Sequence, residues 1–211
     1  MRTVIITGAS RGLGKAIKER LLDDCWTTSY FDYGQDALKR GDVSAKTEYK
    51  YQSTDFSRTS GYDLTDFWGV EHALDALKAS IPDILILNAG VWKNNWRLNY
   101  EAPKELAEQM PKDKLVIFIL SNAAYQSFGN DDYTTAKGGL LHYARRKQRE
   151  GFLFSTISPG TINTGFWDGA ETDNRIRGAM RPEVVAELVY QIIKAHEAGA
   201  LVKELIVTPC G

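Results

Sequence analysis

Two groups of residues in this sequence have types and spacings suited to chemistry. The first is Thr7-Gly8-Ala9-Ser10-Arg11-Gly12-Leu13-Gly14, a glycine turn between an apolar run and a helix-forming stretch. A turn of this kind holds a pyrophosphate. Gly8 permits the tight bend, Gly12 lets the backbone approach an anion with no Cβ in the way, and Gly14 allows close helix packing. Ser10, Arg11 and Leu13 lie in the same cradle, where the amide groups of the helix N-terminus face negative charge. The second group is a hydroxyl, a phenol and an ammonium: Ser121, Tyr133 and Lys137. Tyr-x-x-x-Lys spacing puts both side chains on one helical face, a turn apart. Four such pairs occur: Tyr100/Lys104, Tyr133/Lys137, Tyr143/Lys147 and Tyr190/Lys194. Only Tyr133 follows closely on a polar residue, Ser121, at the carboxyl end of an apolar strand, where open parallel sheets bind ligands.

The elements that must position these groups are legible as alternating apolar runs and amphipathic stretches. Strands are predicted at 4–7, 26–31, 84–87, 115–120, 152–157 and 201–207, and helices at 13–22, 65–80, 102–110, 134–149 and 182–196. Continuous runs such as Ile84-Leu85-Ile86-Leu87 suit strands covered on both faces. Pro182 fits a first helical turn, and Asp132 is placed to cap the helix beginning near Tyr133. The polar stretch 36–62 is expected to hold a short helix, a long loop and one further strand. The alternation implies an α/β fold, a Rossmann-like doubly wound parallel sheet with helices on both faces. The strand predicted at 26–31 brings Asp32 close behind the glycine turn. A carboxylate there accepts from adenosine ribose hydroxyls and repels a 2′-phosphate, favouring NAD. Arg11 favours NADP, since a guanidinium pairs with that phosphate. The balance leans to NAD.

Composition bounds the rest. The chain has 211 residues, and at ~150 residues per domain a single domain over 1–211 is expected. With 26 Lys+Arg against 27 Asp+Glu there is no general field for nucleic acid. The apolar run at 115–120 is far short of the ~20 residues that cross a bilayer, and the first residues reach Gly8 too soon for a signal peptide. Two cysteines, Cys25 and Cys210, make no disulfide framework and fit a reducing, cytoplasmic setting. His72, His142 and His196 lack metal-ligand spacing, so no metal is expected.

In chain order Thr7-Gly8…Gly12-x-Gly14, Asp63-Leu64-Thr65, Asn88-Ala89-Gly90, Asn99, Ser121, Tyr133…Lys137 and Pro159-Gly160…Thr164 resemble the short-chain dehydrogenase/reductase superfamily. The resemblance runs over nearly the whole chain and implies an NAD(P)-dependent oxidoreductase interconverting a secondary alcohol and a ketone. It implies that Asp63, with Leu64 beside it, bonds the adenine amino group, and that Asn88, Ala89 and Gly90 line the cofactor cleft. Pro159, Gly160 and Thr164 would bracket the nicotinamide and its phosphate. Ser121, Tyr133 and Lys137 would match the catalytic trio, and Asn99 the asparagine that holds a proton-relay water; Asn99 is equally placed to cap the helix near Ala102. Leu87 stands where many members carry a second asparagine, and the loop after Ser121 lacks the proline common there.

In that family's chemistry Tyr133 is the general acid of reduction and the base of oxidation. A free phenol, with a pKa of about 10, needs lowering by ~2 to 3 pH units to serve near neutrality, or roughly 3 to 4 kcal/mol. Lys137 and an oxidised nicotinamide supply that lowering, Lys137 also binds ribose, and Ser121 polarises the substrate oxygen. Trp92, Trp96, Tyr125, Phe128, Phe166 and Trp167 fall in segments expected at the nicotinamide end, where aromatic walls suit a flat or apolar carbonyl compound. Residues 165–180 are expected to form a lid. A homodimer or homotetramer through the helices at 102–110 and 134–149 is expected by analogy. The alternative is a non-enzymatic dinucleotide-binding sensor on the same fold. A halohydrin dehalogenase-like lyase is disfavoured by Lys137 and by the glycine turn.

Overall fold

The computed structural model describes residues 2–23, 51–92, 94–126, 131–167 and 178–210. Six strands form among them: β1 (Arg2–Thr7), β2 (Tyr51–Phe56), β3 (Ile84–Leu87), β4 (Leu115–Ile119), β5 (Phe154–Pro159) and β6 (Glu204–Val207). The α-helices are α1 (Gly12–Asp23), α2 (Phe67–Ala79), α3 (Ala102–Glu108), α4 (Asp131–Arg149) and α5 (Pro182–Glu197). The strands lie in the order β2-β1-β3-β4-β5-β6, and every pair is parallel. This is the doubly wound α/β architecture expected from the sequence.

Strand side chains alternate between two cores, because neighbouring residues of a strand face opposite ways. Leu85, Leu87, Val116 and Phe118 pack against α2, α3 and α4. Ile84, Ile86, Leu115 and Ile117 pack against α1 and α5 on the other side. Both faces of β3 and β4 are thus buried, which is why those strands are apolar at every position. Arg20 of α1 ties the second layer together, ion-paired to Glu187 of α5 and lying 3.6 Å from the centre of the Tyr190 ring.

Local signals set most boundaries. Asp66 caps α2 by accepting from the Gly69 amide at 2.7 Å, and Pro182 opens α5. Helix α4 begins at Asp131, so Asp132 lies inside its first turn and does not take the capping position expected of it. Strand β5 runs two residues later than predicted, from Phe154 to Pro159. The predicted strand at 26–31, with Asp32, lies outside the described residues. Both edges of β1 are nonetheless assigned, one to β2 and the other to β3. The chain therefore reverses direction across the sheet at β1, which opens a crevice beyond the carboxyl ends of β1 and β3.

Candidate active site

The glycine turn closes on itself at that crevice. Gly8 has a φ of +69°, a left-handed conformation suited to glycine, and a Cβ on Gly14 would sit 2.2 Å from the Gly8 carbonyl oxygen. Turn and helix therefore approach closely only because position 14 has no side chain. The turn is then pinned on two sides. Thr7 Oγ1 accepts from the amides of Asn88 and Ala89, both at 2.9 Å, while Asn88 Nδ2 donates to the Thr7 and Gly8 carbonyls at 3.1 and 3.2 Å. On the β2 side, Asp55 Oδ1 accepts from the Ala9 amide at 2.9 Å. Ser10 and Arg11 remain exposed at the tip, Leu13 is buried beneath it, and Thr164 faces Gly12 from the loop after β5.

The acid–base groups meet at the carboxyl end of β4. Ser121 follows Leu120 and caps the short turn Asn122–Ala124, its Oγ accepting from the Ala123 amide at 3.1 Å. The same hydroxyl is hydrogen-bonded with Tyr133 of α4. Lys137, one helical turn on, lies with Nζ 5.7 Å from the centre of the Tyr133 ring and donates to the Ile119 carbonyl at 3.1 Å. Phenol, hydroxyl and ammonium thus converge. Tyr133 is 5% exposed and Lys137 4%, and burial acts on each in the direction of its neutral form. It pushes the Tyr133 phenol up to about 12, against the Ser121 hydrogen bond, and the Lys137 ammonium down to about 8. The lowering of Tyr133 expected from the sequence is therefore not a property of the chain by itself; desolvation of the phenolate outweighs the hydrogen bond that favours it.

Asn99 occupies a π-helical turn, Arg97–Glu101, which leads into α3. Its amide group clasps Val91, with Oδ1 accepting from the Val91 amide at 3.0 Å and Nδ2 donating to the Val91 carbonyl at 2.9 Å. A Cβ on Gly90 would lie 3.3 Å from Asn99 Oδ1 and 3.5 Å from Lys137 Nζ, so turn, asparagine and lysine are contiguous. Asn99 does not act as a cap for α3. It fixes the backbone that runs from the cofactor cleft towards the substrate side.

Two aromatic residues flank the phenol. The rings of Trp92 and Phe166 lie 5.1 and 6.0 Å from that of Tyr133. Trp96 packs at a tilt against Tyr100 and Tyr125 turns to Glu204 on β6, so neither takes the wall position expected of it as directly. Phe128, the side chain of Trp167 and residues 168–177 of the expected lid lie outside the described residues. The other Tyr/Lys pairs are engaged elsewhere. Tyr143 is in the core, Tyr190 packs under Arg20, and Lys104 pairs with Glu108.

Asp63, after β2, has both carboxylate oxygens engaged. Thr65 donates to Oδ1 through its amide and hydroxyl, and Arg58 lies 2.8 Å from Oδ2. Those bonds, Thr65's foremost, hold its carboxyl below the usual range. The sequence reading did not single out Asp55, which pins the glycine turn, or Arg58, which pairs with Asp63. Asp55 lies on β2, Tyr-Gln-Ser-Thr-Asp-Phe, which has no apolar run to announce it, and Arg58 in the short turn that follows.

A parallel sheet with a glycine turn at its switch point and a buried Ser–Tyr–Lys cluster beside it is an architecture of the Rossmann type. The sequence matches the short chain dehydrogenase family over residues 2–175, and the chain belongs to that family of NAD(P)-dependent enzymes. It is 24% identical over 200 residues to the 3-oxoacyl-acyl-carrier-protein reductase FabG of Vibrio harveyi, covering 82% of this chain and 79% of that one. Among solved structures it resembles the alcohol dehydrogenase of Thermococcus sibiricus complexed with 5-hydroxy-NADP, with a TM-score of 0.73 at 19% identity and coverage of 98% and 95%. It also resembles the 3-alpha-hydroxysteroid dehydrogenase of Pseudomonas sp. B-0831 complexed with NADH, with a TM-score of 0.72 at 17% identity and coverage of 98% and 95%.

Proposed function

We propose that the chain interconverts a secondary alcohol and a ketone, with Tyr133 as general acid and base, Ser121 polarising the substrate oxygen and Lys137 holding cofactor ribose. The observation that carries this reading is the convergence of Ser121, Tyr133 and Lys137 at the carboxyl end of β4, beside the glycine turn. The residues present fit a nicotinamide dinucleotide. Gly8, Gly12 and Gly14 leave backbone room for its pyrophosphate, with Thr164 opposite. Lys137 is a buried ammonium that, among the described residues, forms no ion pair, so N–H groups remain to donate to ribose hydroxyls. The cofactor supplies hydride acceptance or donation and, when oxidised, a positive charge near the phenol. Tyr133, held protonated by the unliganded chain, is ready as an acid for a carbonyl oxygen. Asn99 keeps the Gly90–Val91 backbone in place between cleft and lysine. Trp92 and Phe166 beside the phenol suit a flat or apolar carbonyl compound.

The cofactor preference belongs to the same proposal. The strand beside β1 on the side away from β3 is β2, and just after its carboxyl end stands Arg58, an exposed guanidinium 2.8 Å from Asp63 Oδ2 whose remaining N–H groups suit a 2′-phosphate. We therefore assign NADP(H) to this chain over the NAD that Asp32 suggested. Binding constants for NADPH and NADH decide it. NADPH preference that disappears in Arg58→Ala is expected, and NADH preference that disappears in Asp32→Ala overturns it.

Turnover of a panel of ketones with both cofactors tests the activity. Tyr133→Phe is expected to lower kcat by about a hundredfold to ten-thousandfold while cofactor still binds. Full turnover in that variant would sink the acid–base assignment. Tight cofactor binding with no hydride transfer to any ketone would instead support the sensor reading. A homodimer or homotetramer through α3 and α4, in a cytoplasmic setting, completes the proposal. Among the described residues no helix is long and apolar enough to cross a membrane.

A further inference from the structure

Glu204, the first residue of β6, is the hub of a network that reaches the serine turn. Its Oε1 accepts from Arg145 Nε at 2.6 Å, and its Oε2 accepts from Arg145 Nη2 at 2.8 Å and from the Tyr125 hydroxyl at 3.2 Å. The Arg145 guanidinium also lies 5.8 Å from the centre of the Tyr125 ring. Such a two-pronged arginine–carboxylate pair has a fixed orientation, so the third bond, to Tyr125, is fixed in direction as well.

The three residues belong to different parts of the site. Tyr125 ends the turn that Ser121 caps, its amide donating to the Asn122 carbonyl at 3.0 Å. Arg145 lies on α4, the helix that carries Tyr133, twelve residues further along and so roughly 18 Å away down the axis. Glu204 stands on the strand beside β5, held there from α4 also by Gln148, whose Nε2 donates to the Phe154 and Lys203 carbonyls at 2.9 and 3.0 Å. The end of this strand supports the same turn from a second direction. The Gly160 amide donates to the Val207 carbonyl at 2.7 Å, and a Cβ on Gly160 would meet both Asn122 Nδ2 and Pro209 Cδ at 3.2 Å.

We infer that Glu204 and Tyr125 are positioning residues: through them α4 and β6 hold the Asn122–Ala124 turn so that the Ser121 hydroxyl stays in register with the Tyr133 phenol. The two oxygens that must act on one substrate atom sit on separate pieces of chain, a turn and a helix. Arg145, Glu204 and Tyr125 tie the turn back to the helix it must match. Neither Glu204 nor Tyr125 needs to touch substrate for this.

The inference rests on the proposed role of Ser121, and the test separates the two. Tyr125→Phe removes one hydroxyl, Glu204→Gln keeps the acceptor oxygen but loses the charge that orients Arg145, and the double variant reports whether they act together. Two readouts are needed, steady-state reduction of 9,10-phenanthrenequinone with NADPH and amide hydrogen exchange at Ala123, whose N–H is bonded to Ser121 Oγ. Each single variant is expected to lower kcat about tenfold with KM nearly unchanged, the double variant no further, and Ala123 exchange is expected to quicken. Ala123 exchange and kcat both equal to wild type in Tyr125→Phe overturn the inference, as does loss of thermal stability with kcat preserved. If Ser121→Ala leaves turnover intact, or the wild type turns nothing over, the proposed function fails, and Ala123 exchange alone then decides whether Tyr125 and Glu204 hold the turn.

Discussion

At the residue scale the site combines two groups that burial drives in opposite directions. Lys137, down to about 8 from an ordinary 10.5, is held as a costly ammonium at neutral pH. Below pH 8 the folded protein bears this cost in full. Between 8 and 10.5 the unfolded chain binds more protons than the folded one, so stability rises with pH. Tyr133, up to about 12 from an ordinary 10, acts above that window; from pH 10 to 12 the folded chain keeps a proton the unfolded chain has lost, and stability falls. The pair together predicts a local stability maximum near pH 10, measurable by denaturant unfolding across pH 7 to 12. Replacing the ammonium makes a sharper case. Lys137→Met is expected to abolish turnover yet raise unfolding free energy at pH 7 by up to about 3 kcal/mol, an advantage that fades by pH 10. Equal stability at both pH values would show that Lys137 is not carrying a burial cost. The proximity of Ser121, Tyr133 and Lys137 was legible in the sequence because, of four Tyr-x-x-x-Lys pairs, only Tyr133/Lys137 opens a helix soon after a serine at the end of an apolar strand, in a chain that also carries the glycine turn. The direction in which Tyr133 shifts was not. It depends on how completely the surrounding layers exclude water, and no spacing reports that.

At the element scale the decisive feature is close approach without side chains. A Cβ on Gly14 would lie 2.2 Å from the Gly8 carbonyl oxygen and 2.5 Å from Asn88 Nδ2, so Gly14→Ala must displace the turn proposed to hold the pyrophosphate. Isothermal titration is expected to show NADPH affinity falling at least about tenfold, a loss of roughly 1.4 kcal/mol, with the fold retained. Asn99→Ala removes both hydrogen bonds to Val91 and leaves its amide and carbonyl without their partner, a cost of about 1 to 3 kcal/mol in chemical unfolding. Asn99→Asp, which keeps the acceptor for the Val91 amide, should lose less. Sequence reading bounded the strands whose faces are both buried, but for β2 it expected only one further strand somewhere within 36–62, for a physical reason. At the edge of the described sheet a strand needs few apolar residues, and its Ser53, Thr54 and Asp55 look like loop. Without its bounds Asp55 and Arg58 were not singled out, so the carboxylate pinning the glycine turn and the guanidinium assigned to the cofactor went unseen until the register with β1 was known.

At the scale of the whole molecule the sheet divides the candidate site between two layers. The glycine turn leads into α1, whose apolar face belongs to the layer shared with α5, whereas Tyr133 and Lys137 ride on α4 in the opposite layer with α2 and α3. Buried substitutions in the helices should therefore sort by layer. Leu140→Ala, under α4, and Ile193→Ala, under α1 and α5, are each expected to cost about 2 to 5 kcal/mol of stability. The first should lower kcat and, since Lys137 sits one helical turn before it, also raise KM for the cofactor, and the second should raise that KM with kcat little changed; steady-state kinetics on both, well below their unfolding temperatures, checks it. Light scattering tests the proposed assembly through α3 and α4, for which a purely monomeric species would be the contrary result. If the layers do respond in this way, the grip on the nucleotide can be retuned without touching speed. A lineage carrying this fold can then drift in its hold on the cofactor by repacking the α1 and α5 side of the sheet and leaving the other as inherited.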